Sequence, residues 1–251
     1  MGFILIGLLD LITIMIRTHY ALLLVTGILP MFCGATALGQ ETAHWSQFRG
    51  SDGRAVAAST NVPIPFDLEK DLAWKIEVPT GHSSPVVWGD QVFLSGYQDE
   101  TLLMLCYSRK DGKELWRHEV EARGEELAEH TSCCPAMPTP CTDGKLVYFY
   151  FGAYGVCALT VSGEVAWEKK LPVPRHQFGT GNSPILAGDA VVLVRDGARE
   201  RAILGLSRKN GEQLWKIPRM AFIVTYATPF LWKNSQREEL VIAGTGRLAS
   251  F

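Results

Sequence analysis

No run of lysine or arginine occurs in the 251 residues, where 24 basic side chains stand against 26 acidic ones for a net charge of −2. A nucleic-acid surface needs a basic patch or stripe, so that class is excluded and no acidic partner is implied. None of the six cysteines forms a C-x₂-C pair followed by a second pair or a histidine pair, which excludes the common zinc modules. Cys33 lies in an apolar leader, and the remaining five, an odd number, cannot all pair within the chain. No G-x-S-x-G nucleophile motif is present. Gly179-Thr180-Gly181 is too short for a nucleotide-binding fingerprint and precedes a strand-like run. What remains is ordinary globular composition, 47% hydrophobic and 20% charged, on a chain long enough to bury a core.

The first forty residues read as an export segment. Phe3 to Ile16 is apolar except for Asp10, Arg17-Thr18-His19 interrupts, and Tyr20 to Leu38 is apolar again. A short basic region, an apolar core from Ala21 to Leu29 and small residues at Ala35-Thr36-Ala37 or Ala37-Leu38-Gly39 are the parts of a cleavable secretory signal, with Met15 as a more typical start. The alternative is a retained anchor, short for a span and interrupted by Pro30. Phe32 is too large for the usual lipid-attachment pattern at Cys33. Either reading expects an exported chain, periplasmic or in the cell envelope, whose only membrane contact is this segment. Residues 41–72 form an extended lead-in.

Internal repetition organises the remainder. Ser84-Pro85-Val86-Val87 opens a unit that continues through Gln91–Ser95 and Leu102–Tyr107 to Asp111-Gly112 and Glu114-Leu115-Trp116. A second unit runs from Thr139-Pro140 through Leu146–Tyr150 and Val156–Leu159 to Ser162-Gly163 and Trp167. A third runs from Ser183-Pro184 through Ala190–Val194 and Ile203–Leu206 to Asn210-Gly211 and Trp215. The tryptophans fall 51 and 48 residues apart, and a fourth copy starts at Thr228-Pro229 and reaches Phe251 in its third run. Four short runs rich in β-branched and aromatic residues, separated by Gly-Asp, Asp-Gly or Asn-Gly, make four strands joined by tight hairpins. That period is the blade of a β-propeller. The expected fold is all-β: four-stranded antiparallel blades at about 83–120, 135–171 and 181–218, and a partial blade at 226–251. The repeated tryptophan is expected to pack between blades.

The pattern Asp111-Gly112-Lys113-Glu114-Leu115-Trp116 with Ser84-Pro85-Val86-Val87 resembles the pyrroloquinoline-quinone-like (PQQ-like) propeller repeat. Trp45-Ser46-Gln47-Phe48-Arg49-Gly50 resembles the segment that opens many exported bacterial members of that family. The resemblance covers about residues 45–251. The family includes quinoprotein alcohol dehydrogenases and the propeller lipoprotein that assists outer-membrane β-barrel assembly, so it specifies a fold far more than a function.

Ala73–Val78 aligns with Leu115–Val120 as an outer strand that has no first three strands before it. In propellers such a strand closes the last blade. Two arrangements follow: an open or incomplete array of about three and a half blades, or a four-bladed ring in which Ala73–Val78 completes the blade at 226–251.

The site candidates lie in loops entering the blades. Some quinoprotein dehydrogenases carry a disulfide between adjacent cysteines against the quinone, and the resemblance offers Cys133 and Cys134 for that role. His82, His130 and His176 each precede the first strand of a blade, three, ten and eight residues before its proline. On one face they could converge on a metal or an anionic ligand. The calcium-bound PQQ, aspartate base and aromatic floor of the dehydrogenases have no residue-by-residue match. The first expectation is therefore a non-catalytic binding or scaffolding propeller, with a protein partner or small ligand on the loop face. The alternatives are a PQQ-dependent alcohol or sugar dehydrogenase or its degenerate relative, and a truncated product without independent function.

Overall fold

The computed structural model describes residues 2–3, 44–57, 63–122, 133–152, 154–175, 177–198, 200–219 and 225–251. Among them every regular element is a strand. A two-residue strand, β1 (Gly2–Phe3), pairs with β2 (Glu77–Val78). Blade 1 then comprises β3 (Val86–Trp88), β4 (Gln91–Gln98), β5 (Thr101–Ser108) and β6 (Glu114–Glu121). Blade 2 comprises β7 (Cys141–Thr142), β8 (Leu146–Phe151), β9 (Gly155–Thr160) and β10 (Val165–Lys170). Blade 3 comprises β11 (Ile185–Ala187), β12 (Ala190–Asp196), β13 (Arg201–Ser207) and β14 (Gln213–Pro218). A fourth sheet holds β15 (Phe230–Lys233), β16 (Glu238–Gly244) and β17 (Arg247–Ser250). Each sheet is an antiparallel meander in chain order.

The side-chain pattern explains the stacking. The middle strands are buried on both faces, and successive residues point to opposite neighbours. Phe93, Met104 and Cys106 of blade 1 meet Val147, Phe149, Cys157 and Leu159 of blade 2. The intervening residues Tyr148, Tyr150, Val156 and Ala158 face Val191, Leu193, Leu204 and Leu206 of blade 3. Val192, Val194 and Ile203 in turn meet Leu240 and Ile242 of the fourth sheet. Outer strands alternate instead: in β6, Trp116, His118 and Val120 are half-buried between exposed neighbours.

The repeated tryptophan locks each outer strand to the next blade. Trp116 Nε1 donates to Val161 O at 3.0 Å, and Trp167 Nε1 donates to Arg208 O at 2.9 Å. Gly163 lies under the Trp116 ring at φ +93°, where an added Cβ would come within 2.8 Å of the indole. Glycine is required there twice over, for the backbone angle and for the space.

Trp74 of the leading segment makes the same contact with blade 1, its Nε1 donating to Arg109 O at 2.8 Å. Trp74, Ile76 and Val78 cover the face of blade 1 formed by Val92, Leu94, Leu103, Leu105 and Tyr107. This placement corrects the four-bladed ring. Ala73–Val78 shares no sheet with β17, whose partner is β16. Without that pairing the last sheet has no outer strand from this segment, and the array is open. The outward side of the last sheet exposes Trp232 and Leu248.

The export segment and anchor expected at 1–40 lie outside the described residues, apart from Gly2–Phe3. Among the described residues no helix is long and apolar enough to cross a membrane.

Candidate functional site

First strands line the inner side of the arc, and their Ser/Thr-Pro starts join blade to blade. Ser84 N donates to Thr139 Oγ1 at 2.9 Å, Thr139 N to Ser183 Oγ at 3.0 Å, and Ser183 N to Thr228 Oγ1 at 3.0 Å. The proline that follows each hydroxyl residue cannot donate, so this amide is the donor available at the strand start, and the neighbour's hydroxyl satisfies it. The belt fixes the spacing of the loops that enter each blade.

The lead-in segment lies on the same inner side. Trp45 exchanges both backbone hydrogen bonds with Val87 at 2.9 Å, and Thr142 N donates to Ser46 O at 2.8 Å. The His44 ring stacks on Trp88, centroids 3.8 Å apart. At its far end, Gly53 lies under Phe230 of the fourth sheet. First-strand edges that would otherwise be unpaired are thus capped by this segment.

The loops entering blades 1 and 2 hold three of the residues offered by the sequence, His82, Cys133 and Cys134. His82, anchored by its amide to Ala136 O at 3.0 Å, brings Nδ1 to 3.8 Å from Cys134 Sγ. Burial pushes the Cys134 thiol up, against backbone N–H contacts from Ala136 and His82 that favour the thiolate. Cys134 is a buried thiol, and Cys133 beside it is half-exposed. Below them Ser95 Oγ donates to Pro138 O at 3.1 Å. Two of the candidate groups, His82 and Cys134, therefore share one spot between blades 1 and 2. His130 and His176 lie outside the described residues.

Sequence reading missed a buried charge network at the same end of blade 3. Arg195 donates to Glu200 Oε2 at 2.6 Å, to Tyr150 Oη at 3.1 Å and to Pro172 O. The adjacent Asp196 meets Arg219 at 2.8 Å, and neither side chain is exposed. Burial pushes the Asp196 carboxyl up, against the pull of Arg219 and Arg201. The available signal was two opposite charges ending the apolar run Val191–Val194, a position where a strand normally meets solvent.

Stacked four-stranded meanders around an inner edge, with a repeated Trp–Gly lock, define an open β-propeller of PQQ-like repeats. Residues 52–222 match the family described as outer membrane protein assembly factor BamB, and the chain belongs to that PQQ-like repeat family. No curated protein matches the chain in sequence. Among solved structures it is similar to BamB from Moraxella catarrhalis, at 15% identity and a TM-score of 0.52 over 72% of this chain and 49% of that one. It is also similar to the quinohemoprotein alcohol dehydrogenase ADHIIG from Pseudomonas putida HK5, at 16% identity and a TM-score of 0.57 over 70% of this chain and 26% of that one. The corresponding figures for the quinohemoprotein alcohol dehydrogenase from Comamonas testosteroni are 15%, 0.55, 72% and 28%. At these identities the likeness is one of fold. The chain spans from about a quarter to half the length of these structures.

Proposed function

We propose that the protein is a non-catalytic, exported propeller module that binds a protein partner through its loop face. The observation that carries this reading is that the charged side chains at this end of blade 3 face partners inside the protein rather than an open site. Arg195 is committed to Glu200, Tyr150 and Pro172, and Asp196 faces Arg219 in a fully buried pair. Such groups make a rigid platform; a general base needs to reach a substrate proton. Membership in the BamB-described family supports a protein partner and an envelope location.

A quinone-dependent reading draws on the adjacent cysteines beside His82, since the resemblance offers Cys133 and Cys134 to PQQ with calcium. Thermal unfolding of the purified chain at saturating PQQ and Ca²⁺ separates the two. Ligand bound at a hundred times its Kd stabilises by about 2.7 kcal/mol and raises the melting temperature by several degrees. The binding-module reading expects no shift. A shift that disappears in Cys134→Ser would replace it with the dehydrogenase reading. For the partner itself, a photocrosslinker at Ser83, on the loop face, should give discrete protein adducts in cells, and one at Arg117, on the exposed side of β6, should not. Equal adducts at both positions would count against loop-face binding.

A further inference from the structure

On the seam between blades 1 and 2, an imidazole nitrogen of His118, the thiol sulfur of Cys157 and a carboxylate oxygen of Glu168 lie within 4.8 Å of one another. We propose that these three side chains form a divalent-metal site of the zinc class that ties the outer strand of blade 1 to blade 2. None of its ligands is His82, Cys133 or Cys134.

The strand pattern builds it. Along β6, Trp116, His118 and Val120 point the same way, and Trp116 and Val120 pack into the core shared with blade 2. His118 is thereby aimed at blade 2 from across the seam. On the other side, Cys157 of β9 and Glu168 of β10 are directly opposed in the antiparallel register, so their side chains share one face. Cys157 belongs to that same inter-blade core. The set runs from the buried sulfur through half-buried His118 to exposed Glu168, so its carboxylate side faces solvent, from which a water could complete the four-coordinate set of a zinc-class ion.

The carboxylate is already oriented. Tyr154 Oη donates to Glu168 Oε2 at 2.7 Å, and Lys170 Nζ lies over the Tyr154 ring at 5.6 Å. A hydrogen bond that fixes a ligating carboxylate is the usual outer support of a metal centre. One nitrogen, one sulfur and one oxygen donor suit Zn²⁺ or Co²⁺ and do not suit Ca²⁺ or Mg²⁺, which take oxygen ligands.

Titration of the full chain with Co²⁺ tests the site. The expected result is a thiolate-to-cobalt charge-transfer band with the visible bands of tetrahedral cobalt, saturating at one equivalent and displaced by Zn²⁺. His118→Asn and Cys157→Ala should each abolish the band, and Tyr154→Phe should weaken binding by about tenfold or more. Cys134→Ala, which removes a thiol outside the three-ligand set, should leave the band intact. Absence of the band from the unmodified chain, or its persistence in His118→Asn, would overturn the proposal. His118 is only half-buried, so its variant decides the matter even if Cys157→Ala does not fold. As an independent reading, Zn²⁺ should raise the melting temperature of the unmodified chain and leave that of His118→Asn unchanged; equal rises in both would also overturn it.

Discussion

The indole N–H of Trp116 donates to the carbonyl oxygen of Val161 at 3.0 Å, across the seam between two blades and 45 residues of chain. The same ring lies over Gly163, whose φ is +93°. Trp116→Phe removes the hydrogen bond and keeps most of the packing, so it should cost about 1 kcal/mol in urea unfolding. Trp116→Ala should cost about 3–5 kcal/mol. Gly163→Ala should also destabilise, by about 1–3 kcal/mol, through the backbone angle and the clash with the ring. The double variant should lose less than the sum, because removing the indole relieves the clash and leaves only the backbone strain. Strict additivity would mean that ring and glycine are not in contact.

The inner belt makes a separate claim on Thr139. Its hydroxyl accepts from the Ser84 amide and is buried, so Thr139→Val leaves that amide without its acceptor. The expected cost is about 1–3 kcal/mol, the penalty for a stranded buried donor. Thr139→Ser retains the oxygen and should lose much less. Hydrogen exchange at the Ser84 amide should speed up in the valine variant and stay slow in the serine one; unchanged protection in both would refute the belt as a structural device.

Local signals made the blades legible, and contacts across blades hid the rest. Trp116, Trp167 and Trp215 with their Gly turns marked the period because each hairpin needs its turn chemistry in place. Ser84, Thr139 and Ser183 were readable as strand starts, but their hydrogen bonds span 44 to 55 residues and leave no local trace. The position of Ala73–Val78 was ambiguous for the same reason: an outer-strand motif identifies the strand and not the sheet it completes. Of the candidate site, His82 and Cys134 lie close together, a proximity that 52 residues of separation left without a local signal. His118, Cys157 and Glu168 escaped notice because they are far apart in sequence. The period-two face shared by Trp116, His118 and Val120 was a usable cue.

Acid should act on the seam between blades 2 and 3. Asp143, in the turn before β8, pairs with Arg208, in the turn after β13, and accepts from Tyr148 Oη at 3.2 Å. Burial pushes its carboxyl up, but the Leu146 and Lys145 amides and the Arg208 guanidinium outweigh that and hold it below the usual carboxylate range. A carboxyl held low when folded stabilises the protein above its unfolded value of about 3.9, and that contribution fades as pH falls through the folded value. Asp143→Asn should therefore cost about 1–2 kcal/mol at neutral pH, and its deficit should shrink below about pH 4. Chemical unfolding of both proteins from pH 7 to pH 3 measures this; a deficit constant across the range would show that the charge of Asp143 is immaterial.

Asp196 and Arg219 pose the opposite case, a pair whose burial opposes both charges. Burial drives the Asp196 carboxyl up and the Arg219 guanidinium down, so each charge is tolerated only because the other is present. Arg219→Met strands a buried carboxylate and should cost about 3–5 kcal/mol at neutral pH. Part of that loss should return on acidification, because protonating Asp196 removes the uncompensated charge. Replacing both residues, as Asp196→Leu with Arg219→Met, should be less damaging than the single arginine change, since no isolated charge is left in the interior. If the double variant is the less stable of the two, the pair contributes net stability to the loop face, and the platform depends on the charges themselves as well as on the packing around them.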